Sequence, residues 1–416
     1  MSTGATGFLE RYDSVLNALP GDSALRAAAA DAFRTAGLPG GTQGRRIEAW
    51  KYTSLRPVAE TKFQRDTAPR HEAETILAGL PLLDGPRIVF VDGVLRKDLS
   101  VLLGAGFARF ADQPDFGTLT WPDREPLVAL NTMLAEDGAV LDVPAGHDAG
   151  IVQLISIATG DADFHPRHSI HLGENAQLTL LEISAGQGTY LLNTVAEIHV
   201  ADGAALTHIR LQDEATTAFH VSTTYADVQA GGTYDSFTLN IGARLSRTEV
   251  HAQLSGSGAA AHLNAAQLLA GSQHADFTSV VQHTAPNCQS RQTVKNVLDG
   301  RSRGVFQGRI EVARAAQKTD GYQMNQALLL SPYAEVDTKP ELEIFADDVK
   351  CSHGATVGEL DADQIFYLRS RGVPEAEARA ILVRAFLTEA LDAVTDETIH
   401  ARLEAAVATW WERQAA

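Results

Sequence analysis

Through the middle of the chain, apolar and polar residues alternate in short runs that are separated by clusters of turn-forming residues. The runs at residues 178–183, 195–200, 206–211, 234–241 and 248–254 place alternate side chains on opposite sides of the backbone, as in a β-strand. The clusters between the runs are rich in Gly, Asn and Asp, which tolerate the backbone conformations of tight turns. We therefore predict an all-β region between about residues 151 and 344.

The spacing of these runs fits three all-β architectures. Short strands at intervals of roughly 8 to 12 residues occur in sandwiches, barrels and β-solenoids, and periodicity alone does not distinguish them. The length of the repetitive region favours a solenoid, because a solenoid grows by adding coils one after another.

The two ends of the chain have a helical pattern. Near the N-terminus Phe8, Tyr12 and Val15 recur at helical spacing, and after Asp361 the apolar residues again follow a helical period. We predict a mainly helical region over residues 1–86, a β core over residues 87–358 whose repetitive part spans about residues 151–358, and a helical domain over residues 359–416.

The C-terminal helical domain carries more apolar surface than three small helices need for themselves. Ile381 and Phe386 lie in one stripe, and Trp410 and Trp411 are adjacent on the last helix. Two interpretations stay open: this surface packs onto the β core, or it docks a partner protein.

The composition of the chain makes several classes of partner and location improbable. The chain of 416 residues is 44% hydrophobic, which is enough for a large core, and its formal charge of -18 disfavours nucleic acid and anionic lipid headgroups as partners. The sequence contains no run of about 18 apolar residues and does not begin with a basic segment followed by an apolar one, so we expect neither membrane insertion nor secretion and predict a cytoplasmic location.

The two cysteines, Cys288 and Cys351, are too few for a disulfide framework or a four-thiolate metal site. If the segment around Cys351 is extended, Cys351 and His353 lie on the same face of one strand and form a pair of soft metal ligands. Centres built on soft ligands commonly take about four of them, so such a pair supplies only part of a site, which must then be shared. The alternatives are that Cys351 is a small buried residue beside Val349 and that His353 is a histidine satisfied by neighbours at a strand end.

Other groups invite chemical interpretations that we consider weaker. His165, His168 and His171 are expected to decorate a strand surface rather than bind a metal, and Cys288 is expected to be structural. A further group of arginines could bind an anion, but charge alternation on solenoid turns is favoured: Arg301, Arg303 and Arg309.

Three segments resemble the SufB/SufD family of iron-sulfur cluster assembly scaffolds. They are KNVLDGRSRGVFQGRI at residues 295–310, continuing as AQKTDGYQMN at 316–325; PELEIFADDVKCSHGATVG at 340–358, followed by DQIFYLRSRG at 363–372; and EAWKYTSL at 48–55. Within the family the chain resembles the SufD type, since SufB-type chains are longer and carry more cysteines, including one where residues 331–340 here have none.

This resemblance implies a right-handed parallel β-helix core with an N-terminal helical region and a C-terminal helical domain. It implies a SufB-like partner along the β-helix, a SufC-like ATPase docked on the C-terminal helices, and a transient cluster shared at the subunit interface. His353 is the ligand that the resemblance implies from this chain, and Cys351 is a second candidate. The resemblance also implies reduced FAD in the full complex, without indicating which residues would hold it. The resemblance implies that the chain is a non-catalytic scaffold and that ATP hydrolysis belongs to the SufC-like subunit. The sequence agrees in having no glycine-rich phosphate loop that ends in Gly-Lys-Ser or Gly-Lys-Thr. The expected partner-binding residues are Phe366, Tyr367, Arg371, Ile381, Phe386 and Trp410.

Two other functions fit a β-helix. One is a carbohydrate-active enzyme, although the chain is only 6% aromatic and such enzymes are usually secreted. The other is a homodimeric structural protein, since solenoid ends and edges favour association.

Overall fold

The structure is a computed structural model that describes residues 3–40, 47–64, 72–102 and 106–415. Within these ranges it contains eight α-helices and twenty strands. The helices are α1 (Thr3–Val15), α2 (Ser23–Ala36), α3 (Arg56–Glu60), α4 (Glu72–Gly79), α5 (Pro126–Leu134), α6 (Ala362–Ser370), α7 (Glu375–Leu391) and α8 (Glu397–Ala415). The strands are β1 (Arg87–Val91), β2 (Val94–Leu95), β3 (Phe107–Arg109), β4 (Ala139–Val143), β5 (Asp148–Ala158), β6 (Asp163–Phe164), β7 (Arg167–Leu172), β8 (Gln177–Gly186), β9 (Leu191–Val200), β10 (Ala205–Glu214), β11 (Phe219–Val228), β12 (Thr233–Asn240), β13 (Leu245–Leu254), β14 (Ala260–Leu269), β15 (His274–His283), β16 (Gln289–Leu298), β17 (Arg303–Val312), β18 (Thr319–Leu329), β19 (Glu335–Ile344) and β20 (Val349–Gly358).

The chain winds between two long sheets. Sheet A has the order β2-β1-β5-β8-β10-β12-β14-β16-β18-β20, and sheet B has the order β19-β17-β15-β13-β11-β9-β7-β4-β3, with β6 pairing β9. From β7 onward successive strands alternate between the sheets, and neighbours within each sheet are parallel. This is a parallel β-helix, so the predicted mainly β class with helices at both ends is confirmed.

The coils stack in register. Leu178, Leu206 and Tyr234 pair directly in neighbouring strands of sheet A, at a spacing of 28 residues. Gly203 and Gly231 occupy equivalent turns with φ of 67° and 64°, a conformation that side chains rarely adopt. Repeated turn chemistry therefore keeps the coils aligned.

The two faces of each sheet are covered differently. The faces that point to the helix axis form one continuous apolar core with residues such as Leu180, Val250 and Phe306. The outer face of sheet B lies under the N-terminal helices and α5, and the outer face of sheet A lies under α4, α7 and α8. Leu387 and Leu403 are buried there, and burial of a leucine side chain contributes about 1.5–3 kcal/mol, so the C-terminal helices are firmly attached.

The two ends of the β-helix differ. At the N-terminal end the outermost strands, β2 and β3, are only 2 and 3 residues long and pair antiparallel to their neighbours. At the C-terminal end β19 and β20 are 10 residues each, and among the described residues each pairs with a strand on one side only. We call this second end the open end.

None of the helices in the described ranges is both long and apolar enough to span a lipid bilayer.

Candidate functional site

Cys351 and His353 lie on β20, the last strand of sheet A. In the parallel pairing with β18, Cys351 aligns with Gly321 and His353 aligns with Gln323. Since side chains alternate along a strand, Cys351 and His353 continue the row that points to the helix axis. Gly321 and Gln323 are buried in that row, but no described strand covers β20, so His353 is exposed and Cys351 is half-buried.

The Cys351 thiol packs toward the core. It lies against a small apolar cluster formed by Ile310, Val312 and their neighbours, and a methyl group placed on Gly321 would come within 3.4 Å of the sulfur. Burial raises the pKa of Cys351 above its ordinary value, and the negative charge of Asp320 raises this pKa further. A hydrogen bond from the Gly321 backbone lowers this pKa, but by less than burial raises it. By itself the chain therefore keeps Cys351 a neutral thiol, and iron binding would have to displace the proton.

His353 is the more accessible donor. Within the described ranges its ring has neither a hydrogen-bond partner nor an ion-pair partner. By contrast, His262, on β14 of the same sheet and 37% exposed, bonds to Asp235 at 2.5 Å. Both ring nitrogens of His353 are thus free to bind a metal or a partner group.

The residue that aligns with His353 has an unsatisfied group. Gln323 donates through Nε2 to the carbonyl of Glu341 at 3.1 Å, but its Oε1 is buried without a hydrogen-bond partner. A buried acceptor without a donor is costly, so a group arriving at the open end beside His353 could relieve it.

The expected partner-binding residues fall into two sets. Phe366 and Tyr367 on α6 are 73% and 56% exposed, and Ile381 on α7 is 41% exposed. The Arg371 guanidinium lies 5.2 Å from the centre of the Tyr367 ring. Phe386 and Trp410 instead pack against sheet A, and Trp410 is only 2% exposed.

This difference changes the roles that the two sets can have. The exposed set on α6 and α7 is available for direct contact with another protein. Trp410 fills the intramolecular interface between the helices and the β-helix, which is the first of the two interpretations considered above, so any effect of Trp410 on a partner would be indirect.

The three neighbouring histidines have separate partners. His165 bonds to Asp163 at 2.9 Å, and His171 bonds to Asp115 at 3.0 Å. His168 accepts a hydrogen bond from the backbone of Ala139 at 3.0 Å. The expectation that all three decorate a surface is corrected, because His165 is buried under α1 beside Phe8 and His168 points into the interior of the β-helix beside Phe90.

The arginines at the open end are already engaged. Arg303 bonds to Asp337 at 2.5 Å, Arg309 lies 3.2 Å from Glu311, and the Arg301 guanidinium stacks over Tyr333. These contacts fit the charge-alternation interpretation better than an anion site.

Cys288 is fully buried and donates a hydrogen bond to the carbonyl of Gly256 at 3.2 Å. This contact fits a structural role.

Sequence reasoning missed one group of possible metal ligands. Glu249 and His251, two apart on β13, lie next to Glu125, which precedes α5. The alternation of Glu249 and His251 could have been noticed, but nothing in the sequence indicates that Glu125 joins them.

Comparison with known proteins is consistent with this arrangement. The family model for the SUF system FeS cluster assembly SufBD core domain matches residues 155–386. The chain is 34% identical to the iron-sulfur cluster assembly protein SufD of Escherichia coli, with 86% of each chain covered. It is 32% identical to an iron-sulfur cluster assembly SufBD family protein of Synechocystis, covering 92% of this chain and 89% of the relative. It is also 32% identical to the chloroplastic protein ABCI7 of Arabidopsis thaliana, covering 68% of this chain and 61% of the relative.

The matched family region contains most of the β-helix, including β20 with its cysteine and histidine. The family and its SufD member support a role in iron-sulfur cluster assembly over the carbohydrate-active and purely structural alternatives. The chain belongs to the SufB/SufD family of iron-sulfur cluster assembly proteins and is SufD-like within it.

Proposed function

We propose that the chain is a scaffold subunit that contributes an incomplete iron-binding edge, which becomes competent only against a neighbouring subunit. The observation that carries this proposal is the position of His353: an exposed imidazole without a partner, on a strand whose outer edge is unpaired among the described residues. A histidine with only a structural role would be expected to be bonded within the chain, as His262 is.

Iron and sulfide are the cargo of this site. Neutral imidazole and thiolate both bind iron, and a cluster normally takes four protein ligands, so His353 and Cys351 would supply at most two of them. His353 acts as the primary ligand, since it needs no rearrangement to reach the surface. Cys351 acts second, because its sulfur must lose a proton and turn from the apolar cluster around Ile310.

The neighbouring subunit would be a SufB-like chain that continues the two sheets. Free strand edges present rows of backbone N–H and C=O groups that pair readily with another strand. Large apolar side chains are also exposed at the open end, where Phe345 and Val357 are 64% and 54% exposed. When no SufB-like chain is present, a second copy of this chain would occupy the same edges as a homodimer.

A SufC-like ATPase would dock on the exposed set of α6 and α7. Phe366, Tyr367 and Ile381 are apolar side chains that the chain leaves uncovered, with Arg371 beside them. ATP hydrolysis would take place on that subunit, and its movement would reach the β-helix through α7. The proposal also includes reduced FAD in the full complex and a cytoplasmic location. The arginines at the open end already pair with residues of this chain, so they give no support to a flavin site at that end.

The test is cluster formation by the whole complex with single substitutions in this chain. We expect His353→Ala to abolish most cluster formation, whereas His262→Ala, which alters another part-exposed histidine of sheet A, should leave it near the wild-type level. Subunit pairing is measured in parallel by size-exclusion chromatography with light scattering, so that loss of the complex is distinguished from loss of a ligand. Undiminished cluster formation by an intact His353→Ala complex would reject the assignment.

A further inference from the structure

A second group of metal ligands lies away from the open end, on the outer face of sheet B. One donor atom from each of Glu125, Glu249 and His251 lies within 4.8 Å of the others, and this is the one group of three such donors in the described part of the chain. β13 is three strands from the edge strand β19, which places the group about 14 Å along the helix axis from the open end at a strand spacing of about 4.8 Å.

The three ligands are held by rigid elements. Glu249 and His251 alternate on β13, and His251 Nε2 lies 2.9 Å from Glu249 Oε1. The other oxygen of Glu249 accepts two hydrogen bonds from the buried Arg247, at 3.0 and 2.9 Å. Arg247 is itself bonded to Asp276 at 2.5 Å, which balances its charge. Glu249 is thereby oriented with Oε1 facing His251 Nε2, and a metal ion bound by both atoms would replace the hydrogen bond between them.

Glu125 approaches from a different part of the chain. It is the residue before Pro126, the first residue of the fully buried α5, and its backbone N–H bonds to the carbonyl of Trp121 at 3.1 Å. Its carboxylate is half-buried and has no hydrogen-bond or ion-pair partner among the described residues. Burial, and then the charge of Glu249, raise the pKa of Glu125 above its ordinary value. A cation between the two carboxylates would relieve this repulsion.

The buried hydroxyl of Tyr225, beside these three residues, is a second and independent sign of a ligand site. The Tyr225 side chain is 7% exposed, and its ring stacks on His251 with centroids 4.5 Å apart. Its hydroxyl is buried without a hydrogen-bond partner, and the carboxylates of Glu125 and Glu249 both act on it electrostatically. All four residues are close to a cavity of about 300 Å³, which Glu125, His251 and Tyr225 line directly. A water bound to a metal ion in this cavity would satisfy the hydroxyl.

We propose that Glu125, Glu249 and His251 form a binding site for a divalent first-row transition-metal ion. Two carboxylates and an imidazole are a donor set for zinc, manganese or ferrous iron, and they leave coordination positions open for water. The two arginines that line the cavity have contacts of their own: Arg309 pairs with Glu311 and Glu343, and Arg124 lies over Trp121. The proposal does not depend on the assembly function, since it uses none of the residues at the open end.

The test uses the full chain with Cys351→Ser and His353→Ala, so that the open end cannot contribute soft donors. Zn²⁺ is titrated into this parent protein by isothermal titration calorimetry at physiological ionic strength, and Co²⁺ is used to obtain a visible absorption spectrum of the site. We expect one equivalent of Zn²⁺ per chain and a Co²⁺ spectrum that Zn²⁺ removes. Glu125→Gln and His251→Asn should each weaken binding at least tenfold.

Glu311→Gln is the matched control, because Glu311 lines the same cavity but is not one of the three ligands. It should change the affinity by less than twofold. Glu125→Gln removes an unbonded, half-buried carboxylate, so we expect this variant to fold, and thermal denaturation checks that it does. If His251→Asn is unstable, the affinity of Glu125→Gln for Zn²⁺ alone tests the proposal. Tyr225→Phe should weaken binding without loss of stability. Absence of a one-equivalent site in the parent protein, unchanged affinity in Glu125→Gln, or equal weakening by Glu311→Gln would each overturn the proposal.

Discussion

Lys295 on β16 and Glu389 on α7 form a salt bridge of 2.5 Å that joins the β-helix to the C-terminal helices. The Lys295 side chain is 4% exposed, also bonds to Gln326, and lies 4.7 Å from the centre of the Phe386 ring. A buried ammonium depends on its partners, because each lost contact leaves charge in a low-dielectric environment. This contact is a direct route by which movement of α7 would reach the β-helix.

We predict that Glu389→Gln lowers the free energy of unfolding by about 1–2 kcal/mol, since a charged hydrogen bond to a buried group is lost while two other contacts of Lys295 remain. Chemical denaturation of the purified chain measures this. Arg413→Gln, which removes the exposed pair between Arg413 and Asp213, is the control and should cost less than about 1 kcal/mol. Equal costs for the two variants would show that Lys295 does not depend on Glu389.

The stability of the chain should fall on mild acidification. Burial lowers the pKa of His283 to about 4; burial, and then Arg210, lower that of His208 to about 4. Both imidazoles have a lower pKa in the folded chain than the ordinary value of 6.5, so the unfolded chain takes up these protons first as the pH falls. The folded chain is therefore at no disadvantage from these two groups above about pH 6.5, and it loses stability as the pH falls toward 4. Each fully protonated site would cost on the order of 3 kcal/mol.

Urea denaturation between pH 7.5 and pH 4 measures this dependence. His283→Gln should retain the hydrogen bond to Ser290 and make the dependence shallower, whereas His400→Gln, which alters a part-exposed histidine of α8, should leave the slope unchanged. A wild-type chain that is equally stable at both ends of this range would contradict the prediction.

Cys351 should react slowly with alkylating reagents at neutral pH. Burial raises the pKa of its thiol above the ordinary value for cysteine, so the reactive thiolate is scarce at pH 7 and the rate should keep rising well into the alkaline range. Peptide mapping by mass spectrometry after timed iodoacetamide treatment distinguishes Cys351 from Cys288, which is fully buried and should react more slowly still. A rate that levels off below pH 8 would mean that a nearby positive charge activates the sulfur.

Charges introduced at the open end should block pairing. Val357→Glu and Phe345→Glu place carboxylates on exposed apolar positions beside the free strand edges. We expect each to weaken association with a SufB-like chain, or with a second copy, at least tenfold in analytical ultracentrifugation. Val94→Glu is the matched control, because Val94 is 42% exposed on β2 at the opposite end of sheet A. An effect of Val94→Glu as large as the others would argue against pairing at the open end.

The exposed apolar residues of α6 should govern binding of the ATPase subunit. Phe366→Ala and Tyr367→Ala together should weaken binding of a SufC-like ATPase at least tenfold, since aromatic side chains often dominate the energy of an interface. Surface plasmon resonance with the intact chain gives the affinity. Trp121→Ala, which removes a 53% exposed aromatic residue outside the C-terminal helices, should have no effect. Undiminished binding by the double variant would exclude α6 from the docking surface.

Much of the fold could be predicted because strand alternation and helical spacing are local patterns. Runs such as residues 206–211 fall inside β10, and Cys351 and His353 lie on one strand face as their spacing indicates. What could not be predicted depends on distant contacts. Trp410 and Phe366 are both aromatic residues on C-terminal helices, yet sheet A buries the first and leaves the second exposed.

The same limit applies to the sites. α1 covers His165, and His168 points into the interior of the β-helix, and the local pattern of residues 165–171 indicates neither contact. Glu125 is 124 positions from Glu249, and only the packing of α5 on sheet B brings their carboxylates together. The periodicity of a single sequence does not indicate a contact between residues so far apart in the chain.

The unequal ends of the β-helix also determine how large an assembly can become. A rod with two adhesive ends polymerises, whereas a rod with one adhesive end stops at a pair. β2 and β3 offer only 2 and 3 residues of edge against 10 each in β19 and β20, so the pairing proposed above would use a single adhesive end. Head-to-head association through that end would terminate itself at a pair, without any additional capping protein.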